Sequence, residues 1–394
     1  MTIRLFLVAG LALSAFASPA LAETKTSNTP TEQSFPRYDH ILLIIAENHS
    51  YNRLMTGPDT PGLQRLAKTY GLASNFFTEV HPSEGNYVAI LGGETFGIHD
   101  DDAFYCKPGS SERFCDKANQ PNYADHTVES RSLVDQLTEK GLTWKGYFED
   151  IPEPGSLAVR FPDPKAPPSG RPASLYAVKH NGFMNFKVVQ DDPERAAKIV
   201  GFDRLEDDLA SGKLPNYAHI VPNQCNEMHG LDGPDVPPDC KSDNDSGKTA
   251  RGDTTIVGLV DSIMRSPVWS APGNTAIVVT FDEDGKPRNP ADPQGCCGTE
   301  IGSTANFGGG HIPTIVITNH GVRGIVDPTP YNHYSLLRTT EQAFGISEFL
   351  NHAGDTAAGV RSMAPLFAEK RRHQAEDTRL NSSHPSRSRM PSSA

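Results

Sequence analysis

The 394-residue sequence predicts an α/β fold, a three-layer sandwich around a mainly parallel central sheet. Two observations carry this expectation. Residues 40–46 (HILLIIA), 275–281 (TAIVVTF) and 312–318 (IPTIVIT) are continuous apolar runs, the pattern of strands buried on both faces. Between them lie segments with apolar residues at helical spacing.

Taken in order, the first strand is followed by a predicted helix over 62–70, with Leu63, Leu66 and Ala67 on one face. A helix over 131–140 leads into a strand over 142–148. Residues 193–210 predict one helix, with Pro193 near its start and Gly212 past its end. A short strand over 217–221, a helix over 254–265 and a helix over about 334–344 complete the alternation. Residues 96–123 and 152–185 break it. They are rich in Gly, Pro and charge, and predict loop insertions over the active edge of the sheet.

The chain ends read differently from the body. Arg4, the apolar run 5–17 and Ala20-Leu21-Ala22 have the form of a secretory signal over residues 1–22. That run is short for a membrane span, and no later segment approaches one, so no integral membrane segment is expected after cleavage. A secreted or periplasmic protein is expected, with its body over 23–368 and a disordered Ser- and Arg-rich tail over 369–394. Six cysteines suit an oxidising compartment, and local pairing of Cys106 with Cys115 and Cys225 with Cys240 is the simplest of the many connectivities they allow. Forty-eight acidic residues against 36 basic ones give a net charge of −12, which offers no footprint for nucleic acid or an anionic membrane.

In open α/β sheets, ligands bind beyond the carboxyl ends of the strands. Glu47-Asn48-His49 follows the first strand, Asp282-Glu283-Asp284-Gly285 follows the second apolar run, and Asn223 through His229 follows the short strand. Such oxygen-rich groups serve as turn and cap residues, or together as ligands for Mg²⁺, Ca²⁺ or Mn²⁺, with Zn²⁺ admitted if histidine joins. Ser83 stands at the mouth of a helical segment, where a serine is an ordinary N-cap unless a metal activates its hydroxyl. Ser246-Gly247-Lys248-Thr249 resembles the end of a P-loop, but Ser242 stands where that motif needs glycine. No GxSxG elbow is present, against an ordinary α/β-hydrolase.

Taken in order, these motifs resemble the bacterial acid phosphatase and phospholipase C phosphoesterase family, a branch of the alkaline phosphatase superfamily. The matching stretches are Glu47-Asn48-His49-Ser50-Tyr51, Pro82-Ser83 with Asn86-Tyr87, Pro222-Asn223 through His229-Gly230, Asp282-Glu283, and Gly310-His311-Ile312-Pro313 with YNHYSLLRT over 331–339. The resemblance implies an alkaline-phosphatase-like fold and a divalent metal held by Glu47, Asn48, Asp282 and Glu283, with Ser83 as ligand and nucleophile. Beside that set, Asn86, one helical turn on, and His311 are expected as substrate contacts and His229, if it faces the metal, as general acid for the leaving alcohol, while His333 reads as a packing residue. Asn52, Glu227 and the Asp-Glu-Asp-Gly form of the late acidic motif depart from the phospholipase C pattern. They favour a phosphatase that acts on small-molecule or lipid phosphate monoesters through a phosphoserine. A phospholipase C-type phosphodiesterase is the alternative.

Overall fold

The computed structural model describes residues 35–285, 295–297 and 308–369. The expected leader over 1–22 and the tail beyond Glu369 lie outside the described residues. Glu369 itself bridges to Gly321.

Among the described residues there are ten strands: β1 (His40–Ala46), β2 (Gly71–Thr78), β3 (Trp144–Phe148), β4 (Arg160–Phe161), β5 (Tyr176–Ala177), β6 (Ile199–Val200), β7 (Tyr217–Val221), β8 (Thr275–Phe281), β9 (Gly310–Thr318) and β10 (Ile325–Asp327). Eight form one sheet in the order β10-β2-β9-β8-β1-β7-β3-β6, and β4 and β5 form a separate antiparallel pair. Within the sheet, β9 alone runs against its neighbours. The fold is thus mixed α/β with a large, mostly parallel sheet. Among the helices, Tyr51–Thr56, Pro61–Thr69 and Asp245–Arg265 pack together, and Glu84–Gly92 packs with Leu133–Glu139 and His333–Ala343.

The apolar runs fold as their composition demands. Every residue of β8 and all but the first of β1 are buried, each large side chain contributing about 1.5–3 kcal/mol. Three elements differ from expectation. β2 was hidden because Ser74 and Asn75 interrupt its apolar pattern. They sit where its register against β9 shifts, between Ala73 and Phe76. The single helix expected over 193–210 is broken, because the β-branched pair Ile199–Val200 joins the sheet edge beside β3 and Gly201 restarts the helix as Phe202–Ser211. The helix expected over 254–265 begins at Asp245, with Asn244 capping Gly247 N at 3.0 Å. Its added turns are polar but structural: buried Asp253 accepts from Gly62 N at 2.9 Å and Leu63 N at 2.7 Å, holding the start of the Pro61–Thr69 helix.

The insertions are irregular and cross-braced. Cys106–Cys115 and Cys225–Cys240 are disulfides, and Cys296–Cys297 is a third. Among the described residues, no helix is long and apolar enough to cross a membrane.

Candidate active site

The carboxyl ends of β1 and β8 are stapled side by side, and this sets the site. Asp282 N donates to Ala46 O at 3.1 Å, Asn48 N to Asp282 Oδ1 at 3.2 Å, and His49 N to Glu283 O at 3.1 Å. Asn48 is left-handed with φ 59° and Gly285 with φ 44°, which lets both chains turn sharply at the strand ends. A Cβ on Gly285 would lie 2.0 Å from Asn48 O, so the two turns approach as closely as glycine permits. Glu47 N reaches Glu227 O at 2.9 Å, drawing the loop after β7 to the same place.

Ser83 arrives from the end of β2, immediately before the Glu84–Gly92 helix. Its hydroxyl does not cap that helix. It donates instead to Glu47 Oε1 at 2.7 Å and lies 3.5 Å from Glu283 Oε1, with the residue 1% exposed. Glu47, Asp282 and Glu283 are all buried around it. Asn48 donates its amide to Glu47 Oε2.

Crowding these acids has an electrostatic cost that the pKa directions record. Burial, then repulsion from Glu47 and Glu283, pushes Asp282 well above the usual carboxylate range. Burial also raises Glu283, against the pull of His81, whose Nδ1 lies 2.5 Å from Glu283 Oε2. Glu47 goes the other way: burial opposes its charge, but His229, His180 and Lys179 outweigh burial and hold it well below its ordinary value. His180 Nε2 lies 3.0 Å from Glu47 Oε1 and its Nδ1 2.7 Å from Glu227 Oε1. Burial would strip its proton, but Glu227 and Glu47 push it up to about 10.

Glu47, His180 and Asp282 offer donor atoms that all lie within 4.8 Å of one another. Asp282 Oδ2 is buried with no hydrogen-bond partner among the described residues. A buried carboxylate oxygen with no donor beside three further buried acids is an arrangement that a cation would balance. The donor set therefore fits a divalent metal, with oxygen ligands suited to Mg²⁺, Ca²⁺ or Mn²⁺ and a nitrogen that admits Zn²⁺.

A model of the Phosphoesterase family matches residues 55–347. The chain belongs to that family. A probable acid phosphatase of Kluyveromyces lactis is 27% identical over 348 residues, covering 86% of this chain and 67% of the relative. A phosphatidylinositol-3-phosphatase of Mycobacterium tuberculosis is 25% identical over 315 residues, 79% of each chain. An acid phosphatase of Aspergillus niger is 27% identical over 338 residues, covering 83% of this chain and 65% of the relative, so the chain spans about two thirds of the length of these two fungal relatives. Fungal relatives thus stand beside bacterial ones. Among solved structures, a protein in the alkaline phosphatase superfamily from Vibrio parahaemolyticus aligns with a TM-score of 0.47 at 12% identity, covering 79% of this chain and 69% of that chain. This phosphoesterase is a phosphoric ester hydrolase.

Not every residue singled out from sequence faces the cluster. Asn86 was expected to donate to a phosphoryl oxygen. Its amide is fully buried and spent on the turn before Ser83: Oδ1 accepts from Glu79 N at 3.0 Å and Val80 N at 3.1 Å, and Nδ2 donates to Val80 O at 2.8 Å. His311, expected at the substrate, stacks on Tyr51 with ring centroids 4.6 Å apart, and its Nε2 bonds to Ser74 O at 2.9 Å. His229 does reach the cluster, 3.8 Å from Glu47 Oε1. Its Nδ1 donates to Gly230 O at 2.7 Å, so Nε2 presents a lone pair, 3.3 Å from Lys179 Nζ. Burial, helped by Lys179 and His180 and opposed by Glu47, holds it at about 4. At that value the imidazole is neutral near pH 7, whereas the sequence reading has it carry the proton for the leaving alcohol. His333 is a buried packing residue that links Glu79 Oε2 at 2.6 Å to Phe281 O at 3.0 Å.

Sequence reasoning missed Lys179 and His180, which the 152–185 insertion delivers. Lys179 Nζ lies 3.0 Å from Asp101 Oδ2 and 3.8 Å from Glu47 Oε1. Burial alone would lower its pKa, but Asp101 and Glu47 raise it above the usual lysine value. The only sequence signal was an adjacent Lys-His pair inside a long insertion, where functional residues tend to concentrate.

Proposed function

We propose that this phosphoesterase is an exported, metal-dependent acid phosphatase that hydrolyses phosphate monoesters through a phosphoserine on Ser83. The observation that carries the reading is the Ser83 hydroxyl, released from helix capping and donating to Glu47 among buried acids. Glu47, Asn48, Asp282, Glu283 and Ser83 would hold the metal, and His180 would add a nitrogen only on giving up the proton that Glu227 and Glu47 stabilise. Bound there, a divalent ion supplies a Lewis acid that favours the serine alkoxide and takes up phosphoryl charge.

The remaining work falls to the chain. The proton of Ser83 is directed at Glu47 Oε1, leaving an oxygen lone pair free for phosphorus. As the Oγ–P bond forms, the ester P–O bond breaks and the alcohol leaves. Water then cleaves the phosphoserine, restoring Ser83 and releasing phosphate. The Lys179 ammonium, 3.8 Å from Glu47 Oε1, adds a full positive charge beside this point. Export is supported by the leader pattern and by three disulfides, which persist in oxidising compartments.

The test is turnover of p-nitrophenyl phosphate by Ser83→Ala. Turnover should vanish while the circular dichroism spectrum is retained, and unchanged turnover refutes the assignment. EDTA should inactivate the enzyme and added divalent ions restore it; full activity after exhaustive chelation removes the metal from the proposal. Phosphatidylcholine serves as the diester control, and its preferential turnover would move the protein to the phospholipase C reading.

A further inference from the structure

Next to the nucleophile cluster lies a cavity of about 490 Å³, within the size range of small-molecule sites. Lys179 and His229 line it, and Lys179 Nζ and His229 Nε2 each lie 3.8 Å from Glu47 Oε1, so the cavity adjoins the groups around Glu47. One outer wall is the segment joining β4 to β5, and the other is the loop after β7. Both are braced. Arg160 pairs with Ala177 across the β4–β5 ladder. The Cys225–Cys240 disulfide and the bond from Leu231 N to Cys240 O at 2.8 Å hold the second wall. Gly170 N donates to Asp235 Oδ2 at 3.2 Å and ties the two walls together.

The charges lining this cavity are unequally spent. Lys179 is held by Asp101, and Arg171 by Asp150 at 2.6 Å. Arg160 is exposed. Among the described residues its guanidinium makes no ion pair or hydrogen bond and only rests 5.8 Å from the Phe114 ring. Across the cavity Asp232 is likewise exposed and, among the described residues, makes no ion pair. A cavity beside a phosphate-ester cleavage point, with one uncommitted guanidinium and one uncommitted carboxylate, matches a leaving group that carries both an anion and hydroxyls. A guanidinium prefers planar anions such as carboxylate or phosphate, and a carboxylate accepts from hydroxyls.

We propose that this cavity is the leaving-group subsite, that it takes a hydroxylated leaving group bearing a second anionic group, and that Arg160 reads that anion. The proposal rests on the phosphomonoesterase reading above. The same chemistry occurs in soluble sugar-acid phosphates and in an inositol lipid headgroup, so the test has two arms.

In the soluble arm, 6-phosphogluconate is compared with sorbitol 6-phosphate. Both release the same kind of primary alcohol, and they differ by a carboxylate in place of a hydroxymethyl group. The kcat/KM ratio should favour 6-phosphogluconate by about tenfold, as expected of one charged hydrogen bond weakened by solvent. The ratio should fall toward one in Arg160→Gln, stay high in Arg160→Lys and stay at the unaltered value in the surface control Arg204→Gln. In the lipid arm, release of phosphate from phosphatidylinositol 3-phosphate in phosphatidylcholine vesicles should fall in Arg160→Gln and not in Arg160→Lys. Dependence on Arg160 in either arm supports the subsite and names its source. A ratio near one together with no Arg160 dependence in either arm overturns it. If the unaltered enzyme hydrolyses neither these esters nor p-nitrophenyl phosphate, the phosphomonoesterase reading itself falls, which is a different result.

Discussion

Replacing Asn86 by alanine separates two roles that the sequence alone does not distinguish. In the structure the Asn86 amide makes three hydrogen bonds with the backbone of Glu79 and Val80, and all three residues are at most 1% exposed. Alanine leaves two N–H donors and one carbonyl without partners in a segment closed to water. Each such group costs about 1–3 kcal/mol, and water entering the vacated space recovers part of it, so a net loss of about 3 kcal/mol is expected. Urea unfolding followed by tryptophan fluorescence, compared at a common m value, measures this directly. Inhibition by inorganic phosphate supplies the second readout. A residue that shapes the turn should change the phosphate inhibition constant less than threefold in the protein that remains folded. Asn86→Asp keeps both acceptor bonds but sets a carboxylate against Val80 O, and should fall between the parent and alanine. If Asn86→Ala unfolds within about 0.5 kcal/mol of the parent and weakens phosphate tenfold or more, the turn-bracing argument is wrong and the amide touches the substrate.

Two further perturbations probe the site and the core. Lys179→Gln should lower kcat/KM for p-nitrophenyl phosphate by about 100-fold, the scale for removing one preorganised charge-stabilising donor; a loss below tenfold rejects its role. Glu341 is fully buried, and burial pushes its carboxyl up to about 7 despite the hydrogen bond from Leu350 N. Because the folded pKa lies above the unfolded one, the folded state binds more protons between them, and stability is lost as pH rises from about 4.5 through 7. Glu341→Gln removes that loss and should stabilise the protein by about 2 kcal/mol at pH 8 with little change at pH 4.5, read from urea midpoints. Equal effects at the two pH values would show that Glu341 does not titrate this way.

The strands whose residues are apolar without interruption were legible in the sequence, because burial on both faces leaves no room for polar side chains. β1 and β8 are the clearest cases, and the acidic residues that follow them had to emerge at the same edge of a parallel sheet. Ser83 was legible through its place at a helix start. Elements whose pattern is polar or broken were not. β2 is interrupted at Ser74 and Asn75, and the first turns of the Asp245–Arg265 helix are polar, with no large apolar side chain before Ile256.

What local pattern determined, then, was which segments enter the sheet and which side chains leave it at the active edge. Tertiary structure alone decided what those side chains meet. Asn86 has the same helical spacing from Ser83 whether it faces a phosphate or its own turn, and only the folded path of residues 79–83 brings two backbone N–H groups onto its oxygen. Lys179 and His180 lie 133 positions or so from Glu47 in a segment without regular periodicity, yet they supply the positive charge that keeps Glu47 ionised. Electrostatic partners act through space over a few ångströms. Sequence spacing carries no information about such distances until the insertion has folded back over the sheet.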